Sequence, residues 1–396
     1  MLTTFPSADA EFVKIDFVTE SGTAYQPRPL VAGAATRLAL LAGGTLSAAD
    51  VADFMDYRGI VVDHSVDTMI CSTSFYLLPK YIPDLLGILP DLLLSPAFPE
   101  EEVEVYRRQQ HHRILAQLGK PREVARRLFY RSLFGTDHPL GAYADAADAL
   151  LLDRQVVAEY YDATHAPADF DLVVSGKFDD KLLSALTSRF GETIGTSSRP
   201  HLILSDPHHD PAVVVEHILG VEQTSLRIGR VLPLRWYDAD YAFFVLLTTA
   251  LGGYFESRLM SNLREERGLT YGIAAHTQMF RGVLLFWVVA DVDSQRWHEA
   301  EEAIFDEMDK LRAEPMPDDE LTVVKRVLEG DMARAVDGFV ERSQRYLYMS
   351  GADVDERHTD MLREAIKNAT ALDLQRVAAS LLDRNAMTVC RAGALG

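Results

Sequence analysis

The chain has 396 residues and only two cysteines, Cys71 and Cys390. Two cysteines exclude a disulfide framework and fit a reducing compartment. Net positive charge is also missing: 39 Lys and Arg face 59 Asp and Glu, a formal charge of −20. That excludes the basic patch expected of a binder of nucleic acid or of an anionic membrane, and it favours cationic peptides as partners. No apolar run is long enough to cross a bilayer. The first residues, MLTTFPSADAEFVKID, have neither a basic n-region nor an apolar h-region, so no secretory signal is expected and the location implied is cytoplasmic. No serine nucleophile elbow, P-loop or dinucleotide fingerprint occurs, and neither does His-x-x-Glu-His or His-Glu-x-x-His. No cofactor is therefore expected.

What is present is a unit written twice. Pro99-Glu-Glu-Glu-Val and Pro317-Asp-Asp-Glu-Leu both open a helix, with Pro at its start and acids in the first turn, where the helix dipole favours them. Leu152-Asp153 and Leu372-Asp373 begin two similar runs, each followed by a short loop and a strand, Phe170 to Phe178 and Ala386 to Arg391. Tyr57-Arg58-Gly59 and Glu266-Arg267-Gly268 each precede an alternating run. Three matches in one order imply two homologous halves, 1–195 and 212–396, with a Pro/Ser/Gly/Asp-rich linker at 196–211. Clean alternation marks strands at Val13–Phe17, Val213–His217 and Leu284–Ala290. Helical periodicity falls on Leu30–Leu41, Ala48–Tyr57, Leu77–Leu94, Glu101–Leu118, Val124–Phe134 and Gln155–Tyr161. It recurs on Ala239–Leu251, Phe255–Arg267, Arg296–Arg312, Asp318–Val336, Val340–Ser350 and Ala371–Leu382. Strands and helices without strict βαβ alternation point to α+β layers.

The most informative segment is Leu251 to Ile273, LGGYFESRLMSNLREERGLTYGI. Phe255, Leu259 and Leu263 recur at helical spacing and give one apolar stripe. Gly268 follows the last turn as a left-handed stop, and Leu269, Tyr271 and Ile273 then alternate as a strand. The reversal can bring Arg264 and Tyr271 together as a guanidinium and a phenol, donors suited to a peptide carbonyl and its developing oxyanion. The plain structural alternative is a surface Arg264 at a helix end and a core Tyr271. The histidines form no metal set: His111-His112 point about 100° apart on a helix, His64 and Asp67 lack a third ligand, and His208-His209 lie in the linker.

The Leu251–Ile273 segment resembles the C-terminal half of the M16 metallopeptidases, the insulinase and mitochondrial-processing-peptidase family. Leu251-Gly252-Gly253, Ser257-Arg258-Leu259, Leu263-Arg264-Glu265 and Gly268-Leu269-x-Tyr271 all fall in register with it. Gly44-Thr45, Gly59, His138-Pro139-Leu140-Gly141 and Val173 to Phe178 extend the resemblance over nearly the whole chain. It implies an α+β fold of two homologous M16 (LuxS/processing-peptidase-like) domains, each a mixed sheet with helices packed on one face. It also implies a strand before Val13, for which the sequence leaves little room. Counted from Gly44-Thr45, the zinc-binding histidines of the family would fall on Ala35 and Ala39, the general base on Leu38, and the distal glutamate near Ala116. None of these can ligate metal or move a proton. The resemblance therefore implies a half-site subunit, inactive alone. Arg264 and Tyr271 would contact a peptide substrate in trans while a zinc-bearing M16 paralogue, in a heterodimer, completes the active site; a homodimer is the other arrangement. The rival reading is a non-enzymatic scaffold of the M16 fold.

Overall fold

The alternating apolar residues of Val13, Ile15 and Phe17 are fully buried on one face of a strand, and that strand sits at the centre of the first of two sheets. The computed structural model describes residues 1–165, 170–190, 202–205 and 210–394. Among them the first half runs β1 (Leu2–Pro6), β2 (Val13–Thr19), α1 (Val31–Leu38), α2 (Ala48–Arg58), β3 (Val61–Val66), β4 (Cys71–Leu77), α3 (Ile82–Leu94), α4 (Glu100–Leu118), α5 (Pro121–Phe134), α6 (Ala146–Leu150), α7 (Arg154–Thr164), β5 (Asp171–Gly176) and α8 (Asp180–Phe190). The second half runs β6 (Val213–His217), β7 (Gln223–Leu232), α9 (Ala239–Thr248), β8 (Thr270–Phe280), β9 (Val283–Asp293), α10 (Trp297–Ala313), α11 (Asp318–Arg334), α12 (Phe339–Ala352), α13 (Glu356–Asn368), α14 (Ala371–Leu381) and β10 (Thr388–Gly393). No helix among the described residues is long and apolar enough to cross a membrane.

The strand orders are β1-β5-β2-β4-β3 and β6-β10-β7-β9-β8. In each sheet the first and last strands of the half pair in parallel and the other neighbours are antiparallel. The two halves thus repeat one topology, as the sequence matches implied. The strand before Val13, for which the sequence offered little room, is present: Leu2–Pro6 pairs with Leu172–Gly176. Gly59 and Gly268 occupy equivalent places, each left-handed (φ 60° and 58°) just before an edge strand. The Asp153–Asp373 match is out of register. Asp153 is an N-cap accepting from the Val156 N–H, whereas Asp373 is the third helical residue of a capping box whose N-cap is Thr370. Both carboxylates serve a helix N-terminus, which is why the two runs look alike in sequence.

The chain divides into two compact units. The first comprises Met1–Ile114, Ala144–Leu202 and Ala335–Gly351; the second comprises Leu115–Tyr143, Ile203–Arg334 and Ala352–Gly396. In the first unit, β2 packs Val13, Ile15 and Phe17 against α3 and α8. Its other face carries Lys14 and Asp16, which meet α12: Lys14 Nζ donates to Ser343 Oγ at 2.7 Å, and the Phe12 and Phe339 rings lie 5.0 Å apart. In the second unit, Leu226 and Ile228 of β7 join the core made with α9, α10 and α14, while α5 packs against β7 and β10 and Ser132 Oγ lies 4.0 Å from Cys390 Sγ. The helices native to each half cover one face of its sheet, as expected. The opposite face is covered by a single helix that belongs in sequence to the other half. Periodicity gives the elements but not this exchange.

Candidate functional site

The signature segment departs from a plain α-helix at both ends. α9 widens into a π-type turn at Thr249–Gly253. Gly252 is required there because a Cβ would lie 2.5 Å from the backbone N of Ala275 on β8. The chain resumes its coil at Arg258 and is π-helical over Met260–Glu266. The Arg267 N–H accordingly reaches back to the Asn262 carbonyl, at 3.1 Å. The left-handed Gly268 reverses the chain, and the Leu269 N–H closes the turn on the Leu263 carbonyl at 2.7 Å. Leu251, Leu259 and Leu263 are wholly buried. Phe255, expected on the same stripe, instead lies in the turn ahead of the helix and is 60% exposed. The rest of the segment is tied down by side chains. Arg258 makes a bidentate pair with Glu320 of α11, both contacts 2.7 Å, and Asn262 donates to Glu307 of α10 at 2.6 Å. π-helical turns are uncommon and concentrate at functional sites.

Tyr271 is 92% exposed, while Leu269 and Ile273 are 3% and 4% exposed. Simple alternation would have buried all three together. The β8–β9 register breaks between Thr270 and Ile273, so Tyr271 and Gly272 form a bulge that turns the phenol out of the core. Thr270 pins it: its hydroxyl meets the carbonyls of Asp291 (2.7 Å) and Gly272 (2.9 Å) and accepts from the Gly272 N–H at 3.1 Å. Arg264 lies in the last turn before the reversal and is half-buried. Its guanidinium stands 4.8 Å from the centre of the Phe255 ring. Neither Arg264 nor Tyr271 makes a side-chain hydrogen bond or ion pair among the described residues, so their donors are uncommitted.

Ala35 and Leu38 lie on α1 and Ala39 is its C-cap; they are 0%, 3% and 1% exposed. They pack with Phe98, Val157, Tyr160 and Tyr161. Val103 and Tyr106 are the α4 side chains in that cluster, whereas Ala116 is exposed near the end of α4. These residues do not fit a zinc ion: an apolar core stands where ligands and base would be. A cavity of about 10 Å³ beside Thr36 and Ala39 is bounded by Cys71, Tyr161 and His165. Its polar groups are engaged with each other: His165 lies 2.8 Å from Thr164 Oγ1 and 3.3 Å from Ser21 Oγ, and Cys71 donates to the Ser21 carbonyl. Burial pushes the Cys71 thiol up, away from a reactive thiolate.

Among the described residues no group of three or more His, Cys, Asp and Glu could hold a metal ion. His111 is half-buried with Nδ1 3.0 Å from the Ala146 carbonyl, and His112 is exposed beside it. His64 pairs with Thr73 across the β3–β4 ladder at 3.2 Å, and Asp67 shapes the turn between those strands. His208 and His209 lie outside the described residues. Sequence reasoning did not find the Arg258–Glu320 pair or the bulge. The Thr-x-Gly spacing around Tyr271 is the one local signal of the latter.

Residues 151–328 match the family model of the peptidase M16 inactive domain. Among curated proteins, an uncharacterised zinc protease of Streptomyces coelicolor is 26% identical over 335 residues, 79% of this chain and 70% of that protein. A "probable inactive metalloprotease", YmfF of Bacillus subtilis, is 22% identical over 298 residues, 73% of this chain and 68% of that protein. Among solved structures, a peptidase M16 inactive domain from Pseudomonas fluorescens superposes with a TM-score of 0.87 at 17% identity, covering 99% of this chain and 95% of that one. A protease from Helicobacter pylori gives 0.85 at 15% identity, covering 99% and 96%. The chain is thus related to the M16 peptidases, and it has their two-sheet α+β fold.

Proposed function

We propose that this chain is the non-catalytic half of an M16 peptidase, binding peptide and completing the active site of a zinc-bearing partner. The observation that carries the reading is that Arg264 and Tyr271 are held in place by the fold yet make no side-chain hydrogen bond or ion pair among the described residues. The turn around Gly268 and the bulge at Thr270 fix their backbones, while the half-buried guanidinium fork and the exposed phenol keep their donors unengaged. Two such donors can grip a peptide carbonyl and stabilise charge as it develops on the oxygen. The partner must supply metal and base, because Ala35, Leu38 and Ala39 are core residues here.

The test is peptide hydrolysis by the chain reconstituted with a zinc-bearing paralogue, with thermal melting as the folding control. Arg264→Ala and Tyr271→Phe should each leave melting unchanged and lower turnover by ~10²–10³, the usual loss for one oxyanion donor. Arg264→Lys should also be poor, since an ammonium cannot reproduce the fork. Full turnover in both variants would move the reading to a scaffold of the M16 fold.

A further inference from the structure

Beside Arg264 the second unit has an open cavity of about 400 Å³. Tyr254 and Phe255 form one wall, and α11 forms the other through Arg326, Val327 and Arg334. The Phe255 ring is shared: Arg264 stands over it, and its edge lines the cavity. An aromatic side chain exposed by 60% next to a second, half-buried aromatic is an unsatisfied apolar surface. The cationic groups are unevenly engaged. Arg334 pairs with Asp331 one turn away on its own helix, whereas Arg326 has no hydrogen bond or ion pair among the described residues. Glu256 is the one carboxylate in the lining. Two guanidiniums therefore line this spot and a third, Arg264, stands over the shared Phe255 ring, on a chain whose net charge is −20. With Arg334 paired to Asp331, Arg326 is the lining cation left for a ligand carboxylate.

We infer that this cavity is a specificity pocket for substrate peptides, taking a large apolar or aromatic side chain between Tyr254 and Phe255 and an adjacent acidic side chain against Arg326. The assignment rests on the peptide-binding part of the function proposed above. It adds the class of peptide: apolar-acidic pairs rather than the basic peptides that the overall charge favours. The acid belongs to an internal residue, because Arg264 and Tyr271 grip backbone with chain continuing on both sides. The Arg258–Glu320 pair holds the aromatic wall against α11, so the pocket is set before peptide arrives. Gly330 keeps it open: a Cβ there meets nothing nearer than Arg334 Nη1, at 3.5 Å.

The probes are capped, amidated hexapeptides, Gly-Gly-Phe-Glu-Gly-Gly and its Phe-Gln and Ala-Glu counterparts, titrated into the isolated full chain by calorimetry or NMR shifts. The Phe-Glu peptide should bind about tenfold or more tighter than Phe-Gln, the size expected for a charge-assisted contact. Ala-Glu should bind more weakly than Phe-Glu. Arg326→Gln should collapse the Glu/Gln ratio towards one. Gly330→Leu intrudes on the cavity from a helix that favours leucine over glycine and should weaken binding severalfold with melting not lowered. Equal affinity for Phe-Glu and Phe-Gln, no saturable binding up to about 1 mM, or undiminished binding to the Gly330→Leu variant would overturn the pocket. So would a peptide ending in a free Phe carboxylate that outcompetes Phe-Glu, since the acid would then be a chain terminus. None of these readouts needs the partner. If discrimination appears while Arg264→Ala and Tyr271→Phe leave turnover intact, the pocket stands and the half-site reading falls. The converse pattern removes the pocket alone.

Discussion

Placing the family's zinc motif where the resemblance puts it, by the triple change Ala35→His, Leu38→Glu, Ala39→His, should not create a zinc enzyme; it should damage the fold. The three positions are at most 3% exposed and pack against Phe98, Tyr160 and Tyr161. The adjoining cavity of about 10 Å³ holds roughly one water, far less than an imidazole. At the low end of typical values, each overpacked ring costs about 1 kcal/mol and each stranded ring nitrogen about 1 more. The buried glutamate costs at least about 3 kcal/mol unless it is neutralised. The sum, roughly 7 kcal/mol, is comparable with the whole stability of an ordinary domain, about 5–15 kcal/mol. Zinc could offset this only with a third ligand, and the α4 residues that reach the cluster are Val103 and Tyr106, neither of them an acid. The assays are thermal melting with and without zinc and elemental analysis after gel filtration. The expected result is a large loss of melting temperature and no stoichiometric metal. A variant that melts like the parent and holds about one zinc per chain would refute the reasoning, because the α1 cluster would then be an emptied site rather than a filled core.

Thr270→Val should keep the strand but loosen the bulge, costing about 1–2 kcal/mol in urea denaturation for the lost contacts to Asp291 and Gly272; turnover of the mixed complex should fall towards that of Tyr271→Phe. Lys14→Met strands the buried Asp16 carboxylate, 2.6 Å from Lys14 Nζ, and should cost about 3–5 kcal/mol, whereas Lys14→Met with Asp16→Leu should recover most of it. Burial, with Arg37 nearby, depresses the His64 pKa from 6.5 to about 4. Native His64 therefore stays neutral where the unfolded residue takes a proton, so its contribution is complete above pH 6.5 and is lost as pH falls towards 4. By linkage this is at most about 3 kcal/mol, and His64→Gln should flatten that part of the stability–pH curve; an unchanged slope would exclude His64 as its source.

Much of the fold was legible because each half keeps its own periodicities. The alternation of Val13–Phe17 and the proline-acid starts at Pro99 and Pro317 survive as β2, α4 and α11. Three kinds of feature were not legible. Leu2–Pro6 is too short to carry a pattern, and Glu356–Asn368 is amphipathic but so polar overall, with His358 and Thr359 on its buried face beside Leu362, Ala365 and Ile366, that it is passed over in the sequence. The exchange of α5 and α12 is a tertiary choice that leaves no period in the sequence. The signature itself departs from ideal periodicity where backbone geometry changes register: the helix is interrupted over residues 254–257, which takes Phe255 off the leucine stripe, and a one-residue bulge turns Tyr271 from the buried to the exposed side. Positions on the same face under ideal geometry therefore part company at this site, where the irregularity aims a side chain.

That irregularity also bears on what the family resemblance is worth as a sign of function. Most residues of the Leu251–Ile273 segment are needed by the fold alone. Gly252 clears β8, Leu259 and Leu263 fill the core, Arg258 and Asn262 lock the segment to α11 and α10, and Gly268 makes the reversal. A pure scaffold would require every one of them, so their presence does not separate a working subunit from a scaffold. Arg264 and Tyr271 differ, because among the described residues neither makes a side-chain hydrogen bond or ion pair; Tyr271 is exposed, and half-buried Arg264 only stands over the exposed Phe255 ring. Removing their end groups should therefore cost almost nothing in stability, in the ±0.5 kcal/mol range of ordinary surface changes, while Arg258→Ala should cost several-fold more by freeing Glu320. If Arg264→Ala or Tyr271→Phe instead destabilised the isolated chain as much as Arg258→Ala, the pair would be structural. Arg264 and Tyr271 would then have a duty within the fold, and their presence would no longer point to a peptide-gripping role, whatever the turnover measurements gave.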